Sequence, residues 1–152
     1  MNDKPGVIAP PPLIALAAIA IGFALEAVWP IALPLRDARL FTGIAVFALG
    51  FALFAWAVTT FRRAGTNVET RRPSTTVVTT GPYRLTRNPI YLGMMLGIAG
   101  VGIASGSVWV IAMALPFLAV IDYGVIAREE RYLEGKFGDS YRGYRERVKR
   151  WI

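Results

Sequence analysis

Two stretches of this chain hold the residues that could do chemistry. The first is Gly81-Pro82-Tyr83-Arg84-Leu85-Thr86-Arg87-Asn88-Pro89-Ile90-Tyr91-Leu92-Gly93, which sets guanidinium groups, phenols and an amide among prolines and glycines. The second is Arg128-Glu129-Glu130, a pair of adjacent acids in an otherwise basic C-terminal region. The chain contains neither Cys nor His. Without Cys there are no thiolate nucleophiles, disulfides, iron–sulfur clusters or Cys-ligated zinc. Without His there are no Ser-His-Asp or Cys-His arrangements, no usual zinc or haem ligand, and no common neutral-pH general base. No metal site is expected. What is left is carboxylate, guanidinium, phenol and backbone chemistry, or a cofactor that arrives already activated.

The local physics of the first stretch is specific. Gly81-Pro82 marks a turn. Asn88 stands as a helix N-cap with Pro89 at the first helical position, where its missing N–H costs nothing. The positive end of that helix, beside Arg84 and Arg87, is a site for a carboxylate or phosphate. Plain capping and anchoring of the helix is the other reading. The preceding Thr75-Thr76-Val77-Val78-Thr79-Thr80 is β-branched and polar, which favours an extended strand. Glu129 and Glu130 either serve a ligand or pair with Arg128, Arg131 or the loop arginines on a solvated face. Residues 128–137 continue a helical pattern that stops at Phe137-Gly138. Beyond it Tyr141, Tyr144, Val148 and Trp151 recur at helical spacing among basic residues, the pattern of an amphipathic helix with aromatic anchors in a membrane interface.

These stretches hang on long apolar runs. The 152 residues are 55% hydrophobic and 18% charged, with mean hydropathy +0.46. A helix needs about 20 apolar residues to cross the hydrocarbon of a bilayer. Candidate segments run from Leu13 to Trp29, Leu40 to Phe61, Ile90 to Ala104 and Val108 to Ala127, the third being short for a full span. The first lacks the basic start and small-residue cleavage site of a signal peptide, Lys4 being offset by Asp3. Ser105-Gly106-Ser107 makes the last two a tight hairpin. Gly93, Gly97, Gly100 and Ala104 form a small-residue stripe for close helix packing, and Pro116 should kink the fourth segment.

The fold expected is therefore all-α: a single integral membrane domain of about four transmembrane helices. It divides into an N-terminal helix pair (1–61), a loop (62–89), a hairpin (90–127) and tail helices (128–152). Only Arg36 and Arg39 lie between the first two segments, whereas Arg62, Arg63, Arg71, Arg72, Arg84 and Arg87 fill the next loop and the tail holds Arg128, Arg131, Lys136, Arg142, Arg145, Arg147, Lys149 and Arg150. Positive residues favour the cytoplasmic side, which puts both termini there. The net charge of +7 is then a topology signal that also suits anionic lipid head groups, with no call for nucleic acid.

Taken together, Gly81-Pro82-Tyr83-Arg84, Arg87-Asn88-Pro89, Tyr91 and Gly93, followed in the tail by Glu129-Glu130, Leu133, Phe137-Gly138, Tyr141 and Tyr144, resemble the isoprenylcysteine carboxyl methyltransferase family. That group includes bacterial membrane methyltransferases and phospholipid N-methyltransferases. The likeness covers roughly residues 75 to 150. It implies an S-adenosyl-L-methionine site: Thr75, Thr76, Val77 and Val78 lining the cofactor, Gly81, Tyr83, Arg87, Asn88, Pro89 and Tyr91 holding it, and Glu129, with Glu130, near its amino group. Arg128 is the residue nearest the family's substrate-facing Arg, whose gapless counterpart is Val125. The family usually has His where this chain has Asn88, and Asn offers an amide but no charge. The implied activity is methyl transfer to a carboxylate, thiol or amine on a lipid-like or prenylated substrate, in a bacterial inner membrane. Two other readings stand beside it: a sterol-type membrane reductase using Arg71, Arg72, Arg84 and Arg87 to hold NADPH, and a scaffold of the same fold whose site has lapsed at Asn88.

Overall fold

The structure is a computed structural model that describes residues 6–31, 33–34, 37–67 and 73–152. Asp3, Lys4, Arg36, Arg71 and Arg72 lie outside the described residues. The described chain is helical, with no strand. Its elements are α1 (Pro11–Val28), α2 (Ala38–Arg63), a 3-10 turn (Gly81–Arg84), α3 (Pro89–Ser105), α4 (Val108–Ala112), α5 (Ala114–Ile121), a π-turn (Asp122–Ile126), α6 (Ala127–Phe137) and α7 (Asp139–Arg147). Three stretches are long and apolar enough to cross a membrane: Pro11–Val28, Ala38–Arg63 and Val108–Phe137. Pro89–Ser105 is a shorter apolar helix. Large apolar side chains such as Leu13, Phe41, Phe51 and Leu115 are exposed around this bundle, as suits helices solvated by lipid rather than water.

The tightest pairing is between α2 and α3, antiparallel. Gly43 backs onto Ala104, Gly100 onto Phe47, and Gly50 onto Gly93 and Gly97. A Cβ at Gly100 would stand 2.6 Å from the Phe47 nitrogen, and one at Gly93 would stand 2.7 Å from the Gly50 oxygen. In lipid, helices gain little from burying one another's apolar surface, so such close backbone approach is what holds a pair together.

The α3–α4 hairpin closes as expected. Gly106 adopts φ +75°, a conformation glycine reaches without strain. Ser107 caps α4 by accepting from the Val110 N–H at 3.2 Å, while its own hydroxyl donates to Glu26 Oε2 at 2.8 Å. Glu26 also accepts from the Ile31 N–H at 3.2 Å. The one acid of the first apolar run is thus spent tying α1 to the hairpin. Ser107→Ala should cost about 1–2 kcal/mol, because it removes a cap and strips a partner from a carboxylate. Denaturant titration in detergent micelles checks this.

Pro116 cannot donate to the Ala112 carbonyl, and the regular α-helix is interrupted at Met113. Two expectations for the loop and the tail fail. Thr75–Thr80 forms no strand: β-branched residues need a neighbouring strand to pair with, and none is described. Tyr141 and Tyr144 are not interface anchors. Both are buried, packed with Ala57, Val78 and Tyr83 into a small core beneath the loop. α7 stops at Arg147, so Val148 and Trp151 lie beyond the helix. A second, larger core joins Ala18, Ile98, Val110, Phe117, Ile121, Val125 and Ile126.

Candidate functional site

The loop, the start of α3 and the helices α6 and α7 meet around one cleft. It encloses about 100 Å³ and opens to solvent at its mouth. Ten of the twelve residues expected to hold a cofactor line it: Thr76, Val77, Val78, Tyr83, Arg87, Asn88, Pro89, Tyr91, Glu129 and Glu130.

Two are elsewhere. The Thr75 N–H donates to Thr66 Oγ1 and its hydroxyl to the Gly65 carbonyl, both at 3.0 Å, so Thr75 staples the loop to the end of α2. Gly81 faces Thr60 and Trp56 with φ +57°, outside the cleft. Its turn matters because it swings Tyr83 inward. Arg128 is also outside: its guanidinium is exposed and donates to the Gly6 carbonyl at 2.8 Å, holding the N-terminal segment. Val125, at the other candidate position, is buried in the larger hydrophobic core.

Tyr83 sits at the centre of the wall. Its ring lies 4.8 Å from that of Phe61, and its carbonyl accepts from the Tyr144 hydroxyl at 2.8 Å. Its own hydroxyl is buried and has no partner among the described residues. Burial pushes this phenol well above its ordinary range, with Tyr144 and then Glu129 adding to the effect. Tyr141 is pushed up to about 12, again by burial first and Glu130 second. Both stay neutral donors at any physiological pH.

The adjacent acids divide their work. Glu129 faces the cleft, and the Tyr91 hydroxyl donates to its Oε1 at 2.7 Å. Glu130 is buried and ion-paired with Arg87 at 3.1 Å and with Arg150. Glu130 thus pairs with a loop arginine, but buried rather than on a solvated face, and Glu129 is left facing the cleft. Arg87 keeps its buried Nε without a hydrogen bond.

Asn88 occupies the N-cap position of α3, but its side chain makes no cap bond. Its Nδ2 donates instead to the Arg150 carbonyl at 2.9 Å. The helix start is left with backbone amides at Ile90 and Tyr91, both beside the cleft.

Several lining residues were not among those expected to hold the cofactor, although Leu133, Tyr141 and Tyr144 belong to the tail motif. Phe61, Asn67, Ser74, Ile90, Tyr132 and Leu133 also face the cleft, as do Tyr141 and Tyr144. Tyr132 accepts from the Ser74 N–H at 3.2 Å and so holds the loop against α6. Only its place one turn from Glu129 could have pointed to it.

A membrane-type helical bundle with a polar, aromatic-walled cleft at one end is the class defined by fold and site together. The sequence profile of the phospholipid methyltransferase family matches residues 38–140, which span α2 to the start of α7, and the chain belongs to that family. Its members are methyltransferases, and these loop, hairpin and tail elements are the matched part.

Three bacterial proteins are similar over shorter stretches. An uncharacterized protein of Haemophilus influenzae is 58% identical over 36 residues, covering 24% of this chain and 57% of that protein. The cobalt-zinc-cadmium resistance protein CzcN of Cupriavidus metallidurans is 39% identical over 66 residues, or 43% of this chain and 31% of that protein. The nickel-cobalt-cadmium resistance protein NccN of Alcaligenes xylosoxydans xylosoxydans is 36% identical over the same shares. The chain thus spans little more than half of the first relative and under a third of the other two. No solved structure matches.

Proposed function

We propose that the cleft binds S-adenosyl-L-methionine and that the chain directs its methyl group to a lipid-like or prenylated acceptor drawn from the bilayer. The observation that carries this reading is the pairing, in one cleft, of the partnerless Tyr83 hydroxyl with the Tyr91-held carboxylate of Glu129. The residues present fit the cofactor. Glu129 suits its ammonium group. The backbone amides at the start of α3 suit its carboxylate. Tyr83 and its aromatic neighbours offer ring faces to a sulfonium. The loop residues Thr76, Val77 and Val78 offer backbone groups to the nucleoside.

The bound cofactor supplies a methyl group already activated for displacement. The chain's own residues then have only to bind, orient and exclude water. A carboxylate acceptor is ionised at neutral pH, so no general base is called for and a chain without histidine can serve it. An amine or thiol acceptor would have to arrive deprotonated. The basic loop and tail favour a cytoplasmic position for the cleft and both termini in a bacterial inner membrane, with the acceptor approaching from the lipid side.

NADPH is the weaker ligand for this cleft. Arg84 is exposed and does not line it, and Arg87 is already offset by Glu130. A 2′-phosphate placed there would meet two carboxylates at close range.

Tyr83→Phe gives a sharp test of the reading. The hydroxyl it removes bonds to nothing described, so the ligand-free protein should keep or slightly gain stability. Affinity for S-adenosylhomocysteine should nevertheless fall by about 5–10-fold, the value of one hydrogen bond. Equal affinity in the two proteins would remove Tyr83 from the site. The activity itself is tested with labelled S-adenosylmethionine and purified protein in bilayer discs made from bacterial lipid extract. Label should pass into a lipid-soluble product. No label in any lipid fraction, together with saturable NADPH fluorescence quenching, would overturn the methyl-donor reading in favour of the reductase.

A further inference from the structure

Residues 149–151 form no helix, yet they are bound to two walls of the cleft, the loop at 86–88 and α6, and to the π-turn before α6. The Arg150 guanidinium forks onto Glu130, Nε to Oε1 at 3.2 Å and Nη2 to Oε2. Its Nη1 reaches Asp122 Oδ2 in the π-turn at 3.0 Å, and the Trp151 indole donates to the other oxygen of Asp122 at 3.3 Å. The backbone is held from the opposite side. The Arg150 carbonyl accepts from Thr86 Oγ1 and from Asn88 Nδ2, each at 2.9 Å. The Lys149 carbonyl accepts from the Arg87 N–H at 3.0 Å.

One residue therefore ties the loop at 86–88 to the contiguous π-turn and α6, far from it in sequence. The consequence for the cleft follows from helix geometry. Glu129 and Glu130 are consecutive on α6, so anchoring Glu130 sets the rotation of the helix and with it the direction of Glu129 toward Tyr91. The Arg150 fork is planar and rigid, which fixes the carboxylate in orientation as well as position. Glu130 in turn fixes Arg87, whose side chain is nearly enclosed. Asp122, an acid within an otherwise apolar run, is explained as well: acids at such positions are found with partners, and Arg150 and Trp151 are its partners.

We propose that Arg150 is a positioning residue for the methyl-donor site, with Asn88 and Thr86 as its clasps on the loop side. The Asn88 amide is spent on the tail rather than on a ligand. This rests on the methyl-donor reading of the cleft, and the experiment separates the two. Full-length protein in bilayer discs is compared with Arg150→Lys, Thr86→Val and the double variant. S-adenosylhomocysteine is the titrant, and amide hydrogen exchange is followed across residues 86–91. Arg150→Lys keeps the charge but loses the fork, and should weaken binding by about tenfold or more. It should raise the donor KM by a similar factor, leave kcat within about twofold, and speed exchange at 86–91.

Thr86→Val keeps the side-chain shape and should weaken binding by about threefold. The double variant should be no weaker than Arg150→Lys alone, because both changes open the same clasp. Unchanged affinity in Arg150→Lys, a fall in kcat at constant KM, or losses that simply add would each overturn the proposal. Should Arg150→Lys not fold, unchanged affinity and exchange in Thr86→Val would overturn it. No binding by the unmodified protein would instead refute the methyl-donor reading, and accelerated exchange in Arg150→Lys would then still show the clasp.

Discussion

Replacing Glu129 by Ala should weaken S-adenosylhomocysteine binding by about 10–100-fold, the largest loss expected from any single cleft residue. The estimate comes from the removed contact, a hydrogen bond between charged groups worth about 1.5–3 kcal/mol. The same change strands the Tyr91 hydroxyl, which donates only to Glu129 at 2.7 Å. Glu129→Gln separates these effects. It keeps an acceptor for Tyr91 but drops the charge, so its loss should be smaller, about tenfold. Glu130→Gln should behave differently. Glu130 is bound by two guanidinium groups, so its loss should appear as lower stability along with weaker binding. Equilibrium dialysis with labelled ligand, beside thermal unfolding of each variant, checks all three. Equal effects of Glu129→Gln and Glu130→Gln on both binding and stability would contradict the division of roles.

The second large effect concerns the α2–α3 pair. Gly100→Val should prevent a stable fold or cost about 3 kcal/mol or more, at the upper end for overpacking. The added Cβ would meet the Phe47 nitrogen at 2.6 Å and its Cα at 2.8 Å. Both are main-chain atoms, so relief requires moving a whole helix. Gly97→Ala is the control. It belongs to the same stripe in the sequence, yet nothing lies within 4 Å of its Cβ position. It should be neutral or stabilising by up to about 1 kcal/mol through helix propensity. The folded fraction in detergent titrations reads both. Equal damage from the two variants would mean that the helices pack in another register.

The bundle was legible because hydrocarbon leaves little freedom: apolar runs of sufficient length must be helices. The Ser105-Gly106-Ser107 turn and the start of α3 at Pro89 were legible for local reasons, glycine's conformational range and proline's missing donor. The Tyr83–Tyr91 stretch and Glu129 stood out as a motif. What was not legible depends on contacts between distant residues. Thr75–Thr80 has the composition of a strand but no partner strand, so composition misled. Neighbours in sequence on one helix differ in direction by about 100°, and only the register through the π-turn settles that Glu129 faces the cleft while Glu130 meets Arg87 and Arg150. Asn88 had the identity and place of a cap, but the Arg150 carbonyl competes for its amide. Arg150 itself looked like one more basic residue in a basic tail.

The central claim is that the cleft between the Tyr83–Tyr91 loop and Glu129 is a methyl-donor site. An experimental structure of the full chain in lipid with saturating S-adenosylhomocysteine tests it most directly. The account predicts a nucleoside in that cleft, with its amino group on Glu129 and a polar atom within hydrogen-bonding distance of the Tyr83 hydroxyl. A cleft empty of ligand at saturation, or a ligand bound elsewhere on the chain, would contradict it.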